Sequence, residues 1–252
     1  MLIHIDMNLK SIIRRWLVVV NGIFRRDRSS RVLFYHDVSG DTIYTDMTTD
    51  INIFKSHINT IICNGFDIVP TITNPENQVQ ICFDDGFRGI WDCRHYFFEN
   101  NLRPTIFIAD SLIGQEGYLT IEEIKELYAH GFLFEAHTCS HTNLTNYTES
   151  ALRDELSQSL RHLRDITGID IKDLCFPQGF YSDTVIRVAK ECGYRKLYSS
   201  DPGPYFNVIH TMLVPRYLLQ DATRAVVRST LFGGQDFLFS HYSKYHKKHD
   251  GA

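Results

Sequence analysis

The chain has 252 residues, room for one large α/β domain or two small ones at roughly 150 residues each. With 43% hydrophobic and 22% charged residues, 15 Gly and 7 Pro, it is not a disordered tail, a collagen-like repeat or a low-complexity linker. Its 26 basic and 30 acidic side chains leave a net charge of −4, so no global positive field gathers nucleic-acid phosphates.

From the N-terminus, residues 8–24 are predicted to form a helix carrying Lys10, Arg14 and Arg15, followed by Arg25, Arg26, Arg28 and Arg31. Two readings suit this basic amphipathic stretch: an interfacial helix resting on an anionic leaflet, or a helix packed on the domain with a solvated charged edge. The apolar run Trp16-Leu17-Val18-Val19-Val20 ends at Asn21, short of the roughly 20 residues that span a bilayer, and no small-residue cleavage pattern follows. The expectation is a cytoplasmic chain, with peripheral membrane contact through residues 8–31 left open. Residues 1–30 are read as the basic helix and residues 31–252 as one catalytic-size domain.

After that helix, short apolar runs alternate with helix-period segments, without repeats or linker-like breaks, which predicts βα units around one parallel sheet. Strands are predicted at 32–35, 66–69, 79–83, 105–109, 132–135, 174–176, 195–198 and 212–214. Gly65 closes a helix containing Ile58, Ile61 and Ile62. Thr120-Ile121-Glu122-Glu123 is a capping box with Gly131 ending its helix, a long helix from about Thr148 to Thr167 stops at Gly168, and Ser182 caps another that ends near Gly193. Seven or eight strands with crossover helices predict an α/β barrel of about seven strands in a single domain. The six cysteines form no C-x-x-C pair and sit mostly in apolar runs such as Ile61-Ile62-Cys63, so they are read as buried thiols of a reducing compartment.

Polar residues follow these runs directly: His36 after Val-Leu-Phe-Tyr, Asp84 and Asp85 after Ile-Cys-Phe, His137 after Phe-Glu-Ala. In a parallel α/β barrel the loops after the strands share one mouth, so these distant residues are expected to converge there. Asp84-Asp85-Gly86 lets one carboxylate reach a metal while the other addresses the water beside it, although the tripeptide alone is also an ordinary turn sequence. His137-Thr138-Cys139-Ser140-His141 carries imidazoles at i and i+4, which point at one ion from a helical turn or a folded loop. Two His and one carboxylate leave a coordination position open, the ligand count of a catalytic divalent site. Cys139 is an alternative ligand or a lining thiol.

Together these residues resemble the polysaccharide deacetylases, the NodB-homology or carbohydrate esterase 4 family. Cys82-Phe83-Asp84-Asp85-Gly86 is similar to the family's T/S-F-D-D-G motif, and His137-Thr138-Cys139-Ser140-His141 to its H-[ST]-x-x-H motif. Val32-Leu33-Phe34-Tyr35-His36-Asp37-Val38 resembles V-L-x-Y-H-x-V, Phe176-Pro177-Gln178-Gly179-Phe180-Tyr181-Ser182 resembles F-P-Y-G-x-Y-S, and Val214-Pro215-Arg216 the later L-P-R. The matches cover roughly residues 31–218 and are jointly more specific than any one alone. The resemblance implies a distorted (β/α) barrel that hydrolyses an N- or O-acetyl group from a saccharide, with Asp85, His137 and His141 holding a divalent ion, commonly zinc, with Co²⁺, Ni²⁺ or Mn²⁺ as other choices. It implies Asp84 as general base, Arg216 as the arginine that orients it, and the backbone at Pro177, Gln178 and Gly179 as the oxyanion and substrate contact. Gln178 stands where the family usually has tyrosine, and no arginine precedes Pro177. The C-terminal part has no clear L-x-H segment for the general acid; in a circularly shifted subgroup of the family the histidine of the entry Y-H strand fills that role, and the resemblance gives it here to His36, ahead of His210 or His241.

His95, His130 and His162 lie in helical patterns, and His241, His246 and His249 fall in a polar tail, so all are read as solvated or structural. Phe87, Tyr181 and Tyr205 are the candidates for stacking on a sugar ring, with core packing the default reading for each. Two other functions compete: removal of a different acyl group, such as formyl, from a lipid-linked or nucleotide-linked sugar, and a catalytically silent relative that only binds carbohydrate.

Overall fold

All eight predicted apolar runs form strands, and every pairing in the main sheet is parallel. The structure is a computed structural model and describes residues 2–206 and 212–248, with side chains from residue 12 onward. Helix α1 (Leu2–Arg25) precedes β1 (Arg31–Tyr35), β2 (Asp37–Ser39), β3 (Thr48–Asp50) and α2 (Ile51–Cys63). Next come β4 (Asp67–Ile68), β5 (Gln78–Phe83), α3 (Gly89–Asp92), α4 (Arg94–Glu99), β6 (Thr105–Ile108), α5 (Ile121–Ala129) and β7 (Leu133–Ala136). The chain continues through α6 (Glu149–Thr167), β8 (Leu174–Cys175), α7 (Asp183–Glu191) and β9 (Leu197–Tyr198). It ends with β10 (Leu213–Val214), β11 (Arg216–Leu218), α8 (Arg224–Leu231) and α9 (Phe239–His246).

The sheet runs β10-β9-β8-β7-β6-β5-β1-β11, with β4 added to β5. No strand pairing joins its two ends among the described residues, yet β10 and β11 are separated in the chain by Pro215 alone. Leu213 and Val214 pair with β9, while Arg216, Tyr217 and Leu218 pair with β1, so one extended segment serves both edges. Proline has no N–H to give a ladder, which suits it to the point where the segment changes partner. Leaving aside the two-residue β4 at the side of β5, six whole strands and one split strand make the expected seven in a barrel-like single domain.

Local signals place the helices. The capping box at Thr120 and Glu123 is formed in both directions, Thr148 and Ser182 cap α6 and α7 through their hydroxyls, and Gly168 ends α6 in the left-handed conformation at φ 74°. The short β2 and β3 went unpredicted because Asp37, Ser39, Thr48 and Thr49 give no apolar alternation; they pair only with each other. All six cysteines are free, but the expectation of buried thiols holds only for Cys82 and Cys175: Cys93, Cys139 and Cys192 are half-buried, and Cys63 lies exposed at the end of α2, whose core face is set by Phe54, Ile58 and Ile61. No helix among the described residues is long and apolar enough to cross a membrane.

Candidate active site

A cavity of about 500 Å³ opens at the ends of these strands. His36 follows β1, Asp84 and Asp85 follow β5, His137 follows β7, Gln178 and Gly179 follow β8, and Arg216 starts β11; all line the cavity. Pro177 is buried in the same turn as Gln178. Asp85 at φ 70° and Gly86 at φ 79° are both left-handed, a sharp turn for which the non-glycine residue gives up roughly 1 kcal/mol or more. The turn sends the two neighbouring carboxylates to different partners.

Asp85 Oδ1 lies 3.2 Å from His137 Nε2 and 2.9 Å from His141 Nε2. The i and i+4 spacing works through a folded loop, with Thr138 and His141 at positive φ and the Thr138 hydroxyl accepting from the His141 backbone N–H. His137 Nδ1 donates to the Cys175 carbonyl at 2.9 Å, which leaves the Nε2 lone pair for an ion. The donor chemistry fits a divalent metal, and bonds of about 2.0–2.2 Å in a tetrahedron would set neighbouring ligand atoms about 3.3–3.6 Å apart, a few tenths of an ångström wider than the hydrogen-bonded spacing here. Burial opposes the charged form of Asp85, but hydrogen bonds to His137 and His141 outweigh it and hold the carboxyl well below the usual range; the same hydrogen bond to Asp85 raises His141.

Asp84, His137 and Cys175 form a second cluster of ligand-type atoms. Burial pushes the Cys175 thiol far up, and Arg216 Nη2 stands 2.9 Å from its sulfur, so an ion there would meet a neutral thiol and a fixed cation. The Asp85 cluster is the better metal site. Cys139 is turned away and donates to Asp110 Oδ2.

Asp84 is clasped by Arg216, Nη1 to Oδ1 at 2.6 Å and Nη2 to Oδ2 at 2.8 Å, with both side chains buried. Arg216 is held in turn by the Ser199 carbonyl through Nε and lies over the Phe34 ring, 4.1 Å from its centroid. Burial acts against the Asp84 anion, yet Arg216 keeps its carboxyl below the usual range. Oδ1 retains a second lone pair, while Oδ2 also takes a 3.7 Å contact from the Cys175 thiol. His36 Nδ1 is 2.8 Å from Gln220 Oε1, so its partner is a side-chain carbonyl and Nε2 is free of it.

Gln178 and Gly179 take φ 59° and 75° in succession. The Gly179 N–H is spent on the Phe176 carbonyl, whereas the Gln178 N–H has no protein acceptor among the described residues. A Cβ on Gly179 would meet Ser200 Cβ and Oγ at 2.9 Å, so only glycine fits there.

The structure also places the other candidate residues and overturns one reading, that of a solvated His246. His246 is buried, its Nδ1 2.6 Å from Asp201 Oδ1, and it lines the cavity next to Gly179; the Tyr181 hydroxyl donates to the other Asp201 oxygen at 2.7 Å. Asp201 follows the β9 run just as Asp84 follows β5, so the same sequence rule finds it; nothing local marks His246. Tyr181 and Phe87 are buried, Phe87 stacked on Tyr118, and neither lines the cavity; Tyr205 packs against Phe206. Phe34, Phe176, Tyr217 and Tyr242 supply the aromatic lining. His241 is exposed and does not line the cavity, and His210 and His249 lie outside the described residues.

Residues 71–197, half of the chain, match the family described as polysaccharide deacetylase. YxkH of Bacillus subtilis (strain 168), provisionally named a polysaccharide deacetylase, is 25% identical over 183 residues, covering 68% of this chain. The match spans 64% of that protein, less than two thirds of its length. Among solved structures, the deacetylase PplD of Streptococcus pyogenes, in complex with acetate, is 16% identical with a TM-score of 0.72 and is covered to 98%, against 81% of this chain. IcaB of Ammonifex degensii is also 16% identical, with a TM-score of 0.71, 82% of this chain and 98% of that one covered. At such identities the two structures speak for the fold.

Proposed function

This chain belongs to the polysaccharide deacetylase family, and we propose that it is a divalent-metal-dependent hydrolase that releases acetyl groups from a saccharide. The observation that carries the reading is the convergence of Asp85, His137 and His141 on one point, beside the buried Asp84–Arg216 pair at the cavity floor. Asp85, His137 and His141 would hold the ion, and zinc suits their N,N,O set and open position. A bound divalent cation supplies Lewis-acid polarisation of the acyl carbonyl and a lowered pKa for water.

The chain's own groups handle the protons and the developing charge. Asp84, kept ionised by Arg216, accepts the proton of the attacking water on a lone pair the guanidinium leaves open. The Gln178 N–H faces the oxygen that gains charge as the carbonyl carbon becomes tetrahedral. His36, whose ring is oriented by Gln220, gives a proton to the departing nitrogen or oxygen. The retained ligand set and base speak against a silent carbohydrate-binding relative; formyl release is separated from acetyl release by the product.

The test is acetate release from acetylated oligosaccharides, with bound metal measured on the same samples. The expected result is activity abolished by chelator and restored by Zn²⁺, Co²⁺, Ni²⁺ or Mn²⁺, with Asp85→Ala, His137→Ala and His141→Ala each losing metal and turnover together. Acetate release that persists in metal-free protein would overturn it.

A further inference from the structure

Viewed along its axis at about 100° per residue, α1 has two opposed faces. Val18 and Gly22 are buried against α8, where the Ser229 hydroxyl donates to the Val18 carbonyl at 2.5 Å. A Cβ on Gly22 would collide with Ser229, and Asn21 Nδ2 donates to the Gly234 carbonyl, so the helix is fixed in rotation. On the far side Ile12, Trp16, Leu17, Val20, Ile23 and Phe24 are exposed, Trp16 at 68% and Phe24 at 79%. They fill an arc of about 140° that no charged side chain interrupts. Arg14 lies beyond one edge and Arg15 beyond the other, on the shoulders between the stripe and the buried face, while Arg25 falls beside Val18 with Asp236 3.8 Å away.

Residues 12–26 hold four arginines and no acid, a local charge of +4 in a chain whose net charge is −4. An apolar stripe of this width, turned away from the body and edged by arginine, matches a surface that is oily within and anionic at its rim. We propose that α1 docks the protein on an anionic phospholipid surface, with Trp16 and Phe24 in the boundary between headgroups and acyl chains and the positive charge of the flanking arginines drawing the helix towards the phosphates. The helix lies along the bilayer and does not cross it. A second copy is the weaker occupant, because it would bring two +4 stretches together.

The cavity mouth lies on the same helix: Arg14 and Arg15 line it, and Arg14 Nη1 donates to the Tyr242 hydroxyl at 3.0 Å. Docking therefore sets the mouth about one helix diameter, roughly 10 Å, from the headgroups. If the reaction proposed above holds, its saccharide is met at the membrane surface. That consequence rests on the reaction; the docking does not.

The test is co-sedimentation of the full chain with vesicles of phosphatidylcholine alone and of phosphatidylcholine containing one third phosphatidylglycerol. Wild type is expected to bind the anionic vesicles at least about tenfold better, with binding lost at high salt. Trp16→Asp with Phe24→Asp should abolish binding while the melting temperature and acetate release stay at wild-type values, because both side chains are exposed. Equal binding to both vesicle types, no binding, or unchanged binding by the double variant would overturn the proposal. So would a wild-type dimer that the double variant converts to monomer, which would assign the face to a second copy.

Discussion

Adjacent in the chain, Asp84 and Asp85 have opposite surroundings: a guanidinium on one, two imidazoles on the other. The proposed roles differ accordingly, so Asp84→Asn should cost about 10²-fold or more in turnover while bound metal is retained. His36→Gln should likewise lower turnover by about 10²-fold or more at unchanged metal content, with melting temperature read on the same sample. A variant with a lowered melting temperature but near-normal acetate release would return His36 to a structural role and move attention to His246, which faces the cavity with its Nδ1 held by Asp201. In the proposed reaction Arg216 acts as a positioning residue, and its buried ion pair with Asp84 can be tested by itself. Arg216→Leu alone, leaving a buried carboxylate unpaired, should destabilise by about 3–5 kcal/mol, and adding Asp84→Asn should recover part of that loss.

The β2–β3 pair stands apart from the main sheet and hangs on Asp37, whose Oδ2 accepts from the Thr48 hydroxyl while Oδ1 is buried without a partner. Burial, with some repulsion from Asp92, pushes this carboxyl up to about 6. An unfolded aspartate titrates near about 3.9, so the native state holds a proton that the unfolded chain releases. The stabilisation is complete below about pH 4 and is lost as pH rises through about 6, at a cost of up to about 3 kcal/mol. Asp37→Asn keeps the acceptor for Thr48 and removes the charge. Its melting temperature relative to wild type should therefore climb between pH 4 and 7 and level off above; a difference that stays flat with pH would refute the account.

Across the whole molecule, Arg31 ties the two ends of the described chain together. It is fully buried at the start of β1 and contacts Asp27, Asp236, the Leu231 carbonyl and the Tyr217 hydroxyl. Burial works against its charge, and Tyr217, Asp236 and Asp27 together more than compensate. Asp236→Ala should destabilise by about 3 kcal/mol or more, because it removes one counter-charge from a buried cation. The measurement is denaturant unfolding at neutral pH, and a loss within the range of an exposed pair, below about 1 kcal/mol, would count against it.

The α/β class, the parallel strands, the capped helices and the order of the site motifs were all written locally. Alternation of apolar runs, hydroxyl caps, terminating glycines and a polar residue after each strand are properties of a few neighbours, and a parallel barrel turns them into one mouth. The grouping of Asp85, His137 and His141 was legible for the same reason, as each follows a strand end by only a few residues. Other features were beyond local reach. Which of two adjacent aspartates meets Arg216, 132 positions away in sequence, depends on the strand changing partner at Pro215 and facing β1. That His246 is buried on Asp201 and not solvated in a tail depends on α9 folding back over the β8 turn. That Phe87 and Tyr181 are spent on packing depends on neighbours no window of sequence contains. Propensity and periodicity are summed over adjacent residues, whereas a side chain's partners are set by which strand ends and helix faces the closed packing brings together, and only the tertiary structure decides that.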